Sequence, residues 1–255
     1  MLQWIRIADL VVDPGYQRPI VGEGRRNVHR IARDFRWCYF APVVVAPVEG
    51  GKFAIIDGQH RTTAAALVGA ESVPCQVVIA AKDEQAAAFK AINGATTRIS
   101  RMALHAAALV ASEQSALELT EVCSSAGVEL LRYPVPLDRQ GPGQTMAIAA
   151  LASALRRYGR ETLVVALRCF TRSSNNRPGA LTARMIKAMC EVLDRNPAWQ
   201  ASGLHLLAAV DKIDFRKVET KALTEAAQRG GRRGRAIAAV LECEVAIRLQ
   251  RQAAE

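Results

Sequence analysis

The sequence predicts an α+β protein, a small α/β domain followed by a mostly helical one. Two observations carry that expectation. Up to about Ile99, short β-branched and aromatic runs alternate with short helical runs; from Ser100 onward, Ala, Leu and Arg at helical spacing take over and the alternation fades. The length, 255 residues with 50% apolar content, is enough for one large or two small domains with a sizeable core. The boundary is drawn at residue 100, giving domains 1–100 and 101–255.

In the first domain, "WIRIADL", "FAPVVVAP", "KFAIID" and "VPCQVVIA" read as strands. Proline bounds two of them, because it offers the ladder no N–H donor. "NVHRIARDF" and "RTTAAALVGA" read as the helices between them, with Gly69 as the stop after the alanine run. Asp83 opens a third helix, "DEQAAAFKAING", with acid in its first turn, and Asn93-Gly94 closes it. Ser100 is placed to cap "RMALHAAALVASEQ". The helices expected beyond it run over 101–112, 115–126, 144–158, 160–171, 181–195, 200–210, 215–229 and 234–252. The loops "RYPVPLDRQGPGQ" and "TRSSNNRPGA" hold most of the Pro, Gly and Asn.

The apolar runs fall well short of the roughly 18 residues a membrane span needs, and "MLQWIRIADL" lacks the layout of a signal peptide, so the chain is read as cytoplasmic with no membrane partner. Six cysteines lie far apart, with no C-x-x-C pair and no histidine at ligand spacing. They read as reduced thiols acting as small hydrophobes, and no metal site is assigned. The net charge is +10. Residues 1–100 hold 12 Lys/Arg against 9 Asp/Glu and the remainder 22 against 15, so the excess lies mainly in the second part. Such a surplus suits an anionic partner and also occurs in proteins that never meet one.

The stretch "IIDGQHRTTAAALVG" carries most of the chemistry. A strand that ends in Asp-Gly and passes at once into a helix aims the first-turn N–H groups beyond the strand end, which makes an anion site. Gly58 permits the tight turn, Arg61 supplies a forked phosphate donor, His60 a switchable one, and Asp57 can cap the helix, orient Arg61 or hold a magnesium ion. The plainer alternative, in which Asp57 only caps the helix and pairs with Arg61, stands beside this one.

With its flanks, the stretch resembles the ParB/sulfiredoxin-like superfamily, in particular the ParB N-terminal domain and its relatives bearing "DGQHR". The resemblance runs over residues 4–100, through "DPGYQRPI", "APVVVAP", "IIDGQHRTTAAALVGAESVPCQVV" and "AFKAINGATTRIS". It implies that a nucleoside triphosphate or diphosphate, ATP or CTP, is bound with or without Mg²⁺. It also implies that Gly58, Gln59, His60, Arg61 and Thr62 contact the phosphates, with Asn93 and Arg98 closing the pocket and Arg18 as a further contact. Arg25, Arg26 and Arg30 are second-rank candidates because the same region covers the nucleotide in the superfamily. Gln59 stands where sulfiredoxins carry their catalytic Cys, which argues against sulfinic-acid reduction. Gln59-His60-Arg61 in place of the Glu-Arg-Arg of ParB leaves the base open, and the one-residue distance from the Asp-Gly-His-His-Arg of free-serine kinases leaves phosphotransfer open. If there is catalysis, Asp57 is the candidate carboxylate, with Glu23 second.

"RGGRRGR" is the sharpest basic cluster, and Arg232, Arg233 and Arg235 are its candidates for contact with nucleic-acid phosphates; a solubilising turn is the alternative. Between Ser100 and Val135 the segment after the Ser-Ala-Gly turn is short and holds Arg132 alone, a poor recognition helix. The reading is therefore a nucleotide-binding, DNA-associated protein of mobile-element, phage or plasmid type that contacts phosphates, with a homodimer compatible with it. Its alternatives are an enzyme of the same fold (NTPase, nuclease or small-molecule kinase) and a nucleotide-free interaction module.

Overall fold

In the computed structural model, residues 1–17, 19–94, 99–229 and 233–252 are described, Arg229 and Arg233 by backbone alone. The chain divides into two compact units, Met1–Arg98 and Ile99–Glu255. The predicted α+β class is the one observed: a mixed five-stranded sheet with helices in the first unit and a helical second unit.

The first unit contains β1 (Leu2–Arg6), β2 (Leu10–Val11), α1 (Glu23–Arg33), β3 (Val43–Val48), β4 (Lys52–Asp57), α2 (Gln59–Leu67), β5 (Ser72–Val77) and α3 (Lys82–Gly94). "WIRIADL" is not the single strand expected. A 3₁₀ turn at Ile7–Asp9 splits it, held by Asp9, which pairs with Arg6 at 2.9 Å and Lys52 at 3.4 Å. The strand order is β1-β5-β3-β4-β2, with β1 and β4 antiparallel to their neighbours β5 and β3, and the β3–β5 and β2–β4 pairs parallel. The two halves of the split strand thus lie at opposite edges. Four residues from Arg6 to Leu10 reach at most about 14 Å, whereas a flat five-stranded sheet separates its edge strands by about 19 Å. The sheet must curl to bring its edges together. Ile5, Val43, Val45, Ile55, Val73 and Cys75 fill its interior face, closed by Phe40 and Ala65.

The second unit begins with α4 (Arg101–Val110), whose cap is as expected: Ser100 Oγ accepts from the Ala103 N–H at 3.1 Å. α5 (Gln114–Ser125) follows, then β6 (Glu129–Leu130) paired in parallel with β7 (Gln144–Thr145), so the turn after α5 leads to a short strand and not to a recognition helix. α6 (Ile148–Thr171) breaks at Gly159, where φ is 80° and ψ 173°, at the point where the sequence separates two helices. α7 (Ala183–Arg195), α8 (Pro197–Ala201), α9 (Leu204–Val210), α10 (Phe215–Arg229) and α11 (Arg233–Gln252) complete the unit. The helix expected over 200–210 is instead two short ones, parted at Ser202 and at Gly203, whose φ is +55°.

One apolar core joins α5, α6, α7, α9, α10 and α11, with Leu163, Leu167, Phe170, Met185, Met189, Phe215 and Leu241 among its fully enclosed side chains. Phe170 and Phe215 meet with ring centroids 4.5 Å apart. Cys123, Cys169 and Cys190 lie within this core, and burial pushes their thiols up to about 12; burial in the sheet pushes Cys75 up to about 11. These four behave as small hydrophobes, unreactive because a thiolate there would be desolvated. Among the described residues no helix is long and apolar enough to cross a membrane.

Candidate functional site

The site grows from an irregularity in β4. Val44 pairs with Asp57 but the next residue, Val45, pairs with Ile55, so Ile56 is an extra residue and the strand bulges just before its end. A bulge leaves main-chain groups out of the ladder. Here two side chains from "DPGYQRPI" meet them: the Gln17 amide donates to the Ile55 carbonyl and, at 3.4 Å, to that of Ile56, while the Tyr16 hydroxyl donates to Ile55 at 3.2 Å. That loop is itself fixed by Asp13, which accepts from Gly15 N–H at 2.7 Å and lies 3.5 Å from Lys82 Nζ. Burial and the nearby Asp13 charge push the Tyr16 phenol above its ordinary range, which keeps it a neutral donor. Gln17 is 95% buried, and its Oε1 has no partner.

β4 passes into α2 through Gly58, whose φ of +106° is the left-handed region. A Cβ there would lie 3.0 Å from Arg61 Nη2 and 3.2 Å from Val43, so both conformation and space call for glycine. No side chain caps α2. The first-turn N–H groups of Gln59, His60 and Arg61 therefore have neither a helical acceptor nor a cap. Asp57 does not cap the helix; its Oδ2 takes Arg61 Nη2 at 3.1 Å, and the same nitrogen reaches the Pro42 carbonyl at 3.3 Å. The pairing foreseen as the plainer alternative is thus present. It does not exhaust the guanidinium, because Arg61 Nε is buried without a partner.

The strand end opens into a cleft of about 870 Å³. Asp57, Gly58, Gln59, His60 and Arg61 line it together with Phe89, Lys90, Asn93 and Gly94 of α3, Gly24, Asn27 and Ile31 of α1, and Gln17 and Ile56. Asp57 is the sole carboxylate among the described lining residues. Asn93 donates its amide N–H to the Phe89 carbonyl at 2.9 Å, which holds the side chain against its own helix with its oxygen still able to accept. Beside this cleft lies a recess of about 740 Å³ lined by Glu23, Arg26, Asn27 and Arg30 of α1. His60, Gly24 and Asn27 line both spaces.

The structure therefore brings together Asp57, Gly58, Gln59, His60, Arg61 and Asn93, and sets Arg26 and Arg30 beside them. Thr62 is not in the cleft: its hydroxyl is buried and donates to the Gly58 carbonyl at 3.2 Å, so it braces the turn. Arg18, Arg98 and Arg232 lie outside the described residues, as does the side chain of Arg233; Arg235 is exposed on the first turn of α11. Among the described residues no group of three or more His, Cys, Asp or Glu side chains could hold a metal ion. Gln17 and Lys90 were not foreseen. Lys90 had a signal, since it sits three residues before Asn93 on one helix and shares its face; Gln17 had none, because its partners are main-chain carbonyls about forty residues away.

Comparison with known proteins gives one family match, to the ParB N-terminal domain over residues 38–94. The matched segment holds β3, β4, the Gly58 turn, α2, β5 and α3; "DPGYQRPI" and α1 precede it. No curated protein matches the sequence. Two solved structures similar to this chain are the C-terminally truncated chromosome-partitioning protein ParB from Caulobacter crescentus complexed with CTP-γ-S, and the same truncated protein complexed to the centromeric parS site. The first is 15% identical with a TM-score of 0.35, covering 84% of this chain and 94% of its own. The second is 12% identical with a TM-score of 0.30, covering 94% and 99%.

Proposed function

We propose that the cleft at the end of β4 binds a nucleoside triphosphate or diphosphate, and that the chain is a nucleotide-dependent, DNA-associated protein of the mobile-element, phage or plasmid type. The observation that carries the nucleotide reading is the uncapped start of α2 behind a left-handed Gly58, with a partly unpartnered Arg61 beside it. Oriented N–H groups and a forked cation are what phosphate oxygens require. The family match over 38–94 supports the same reading, since it contains the whole turn and two of the three helices that line the cleft, α2 and α3.

The apolar lining beyond the turn, with Val21, Ile31, Ile56 and Phe89, suits the flat face of a base. In this reading the phosphates lie on the Gly58–Arg61 turn, Lys90 and Asn93 close over them, and His60 faces the Arg26 and Arg30 recess. Asp57 orients Arg61 and is the lining carboxylate a nucleotide-borne magnesium ion would meet. DNA association rests on the excess of +7 beyond residue 100.

A thermal-shift screen of ATP, ADP, GTP and CTP, with and without Mg²⁺, tests the cleft. A ligand that binds only the folded chain raises its melting temperature with concentration. At least one of the four is expected to do so in a saturable way. If none does with or without metal, the nucleotide reading fails.

A further inference from the structure

The sequence places its nucleic-acid candidates in "RGGRRGR", but the structure shows a second cationic surface whose members are scattered along the chain. Arg177, from the loop after α6, meets Arg216, Lys217, Thr220 and Lys221 of α10 around a concavity of about 480 Å³. The four cations are exposed. On α10 they share one face, because positions 216, 217, 220 and 221 repeat at helical spacing, while Val218, Ala222 and Ala226 of the opposite face are buried in the core.

Among the described residues, the one carboxylate lining the concavity, Asp214, is already occupied. Its Oδ1 accepts from the Lys217 N–H at 3.1 Å at the start of α10, and its Oδ2 lies 3.9 Å from Arg177. Glu219, the next carboxylate on α10, faces away and takes Arg184 at 2.7 Å and Thr182 at 3.1 Å. The concavity keeps a net charge of three positive units.

We propose that this concavity is a docking surface for the phosphodiester backbone of duplex DNA. The lining decides the class of partner. Among the described residues no apolar side chain lines it, whereas a protein partner needs an apolar centre to the interface. No aromatic side chain is among those described lining residues either, so neither a free nucleotide nor a single strand finds there a surface on which to stack its bases. What remains is a polyanion held by phosphates alone. Arg216 and Lys221 are about 7.5 Å apart along the helix axis, close to the axial rise of about two phosphates on one strand. With no base-reading element, the contact is blind to sequence.

The proposal rests on the reading that this chain associates with DNA, and the experiment separates the two. Binding of the full chain to two unrelated duplexes, and to a single strand, is measured between 50 and 200 mM salt, with and without nucleotide. The variant Arg216→Ala/Lys217→Ala/Lys221→Ala is compared with Arg232→Ala/Arg233→Ala/Arg235→Ala. The first variant is expected to melt with the wild type, to bind both duplexes about tenfold or more weaker at 50 mM salt, and to lower the slope of log affinity against log salt by up to about three. If the wild type binds duplex and this variant binds equally well, the surface is misassigned although the DNA reading stands. If the wild type binds no duplex at 50 mM salt, both fall. A wild type that prefers the single strand also overturns the proposal.

Discussion

In the first unit, polar side chains turn inward and gather at one strand end, and two of them, Gln17 and Arg61, are left with a buried atom that has no partner. In the second, a large apolar core occupies the interior and the long charged side chains pair at the surface: Arg160 with Glu121 at 2.6 Å, Arg248 with Glu244 at 2.6 Å, Arg195 with Glu191 and Glu242. Buried polar groups without partners destabilise a fold by about 1–3 kcal/mol each, so a unit that keeps two beside one cleft does so where a ligand can satisfy them. Surface pairs of the second kind contribute about 0–1 kcal/mol and are screened by salt. Asn176, whose Oδ1 is also buried without a partner, lies in the second unit next to Arg177, and the structure offers no account of it. Under the proposed function, the difference divides ligand binding from stability.

That contrast is sharpest under a core substitution. Phe170→Ala removes a fully buried ring that touches Phe215, and large aromatic truncations of this kind cost about 3–5 kcal/mol. Denaturant unfolding should show a loss of that size for the second unit, while nucleotide titration of the folded protein keeps the wild-type affinity. A matching fall in nucleotide affinity would mean that the units do not divide the work.

Arg61→Ala tests the other side. Losing a charge-assisted phosphate contact should weaken nucleotide binding by about 1.5–3 kcal/mol, roughly ten- to a hundredfold. Asp57 also loses its partner, but both side chains are partly open to solvent, so the fold should survive. Calorimetric titration that gives the wild-type affinity would remove Arg61 from the phosphate site.

Much of this site could be read from sequence because its signals are local. A strand ending in Asp-Gly before an alanine run announces the turn, and Ser100 announces its helix by a cap three residues from its partner. What was illegible depends on distance. Asp9 breaks "WIRIADL" through Lys52 as well as Arg6, and Gln17 answers a bulge in β4, which no periodicity of either segment reveals. Arg177 joins Arg216 and Lys217 only through the packing of α6, α7 and α10, so a scan for runs of charge finds "RGGRRGR" instead. Thr62 misled for a local reason: a helical threonine can donate to the carbonyl four residues back, and here it does.

The smallest expected effect concerns a histidine in the second unit, where the contrast predicts stability without chemistry. His105 of α4 lies with Nε2 3.1 Å from Thr120 Oγ1, and the Thr120 hydroxyl donates to the Ala116 carbonyl at 2.9 Å. The threonine oxygen is therefore the acceptor, and the neutral ring with its proton on Nε2 satisfies it. Burial lowers the His105 pKa below its ordinary value of 6.5. The unfolded chain then takes up a proton at higher pH than the folded one, so this contribution to stability is complete above about pH 6.5 and declines as the pH falls through and below that value. Asp9, Asp34 and Glu121 are held low by arginines, so their contributions are lost only at more acid pH and leave the window clear. His105→Gln keeps an N–H donor for Thr120 and removes the titration. Between about pH 7.5 and 5.5 the wild type should lose more unfolding free energy than this variant, by a modest amount because the ring is only partly buried. Nucleotide affinity should differ between the two proteins at neither pH. Parallel stability curves would show that His105 is hydrated in the folded chain, and a difference in nucleotide affinity would give the second unit a part in the chemistry that the comparison assigns to the first.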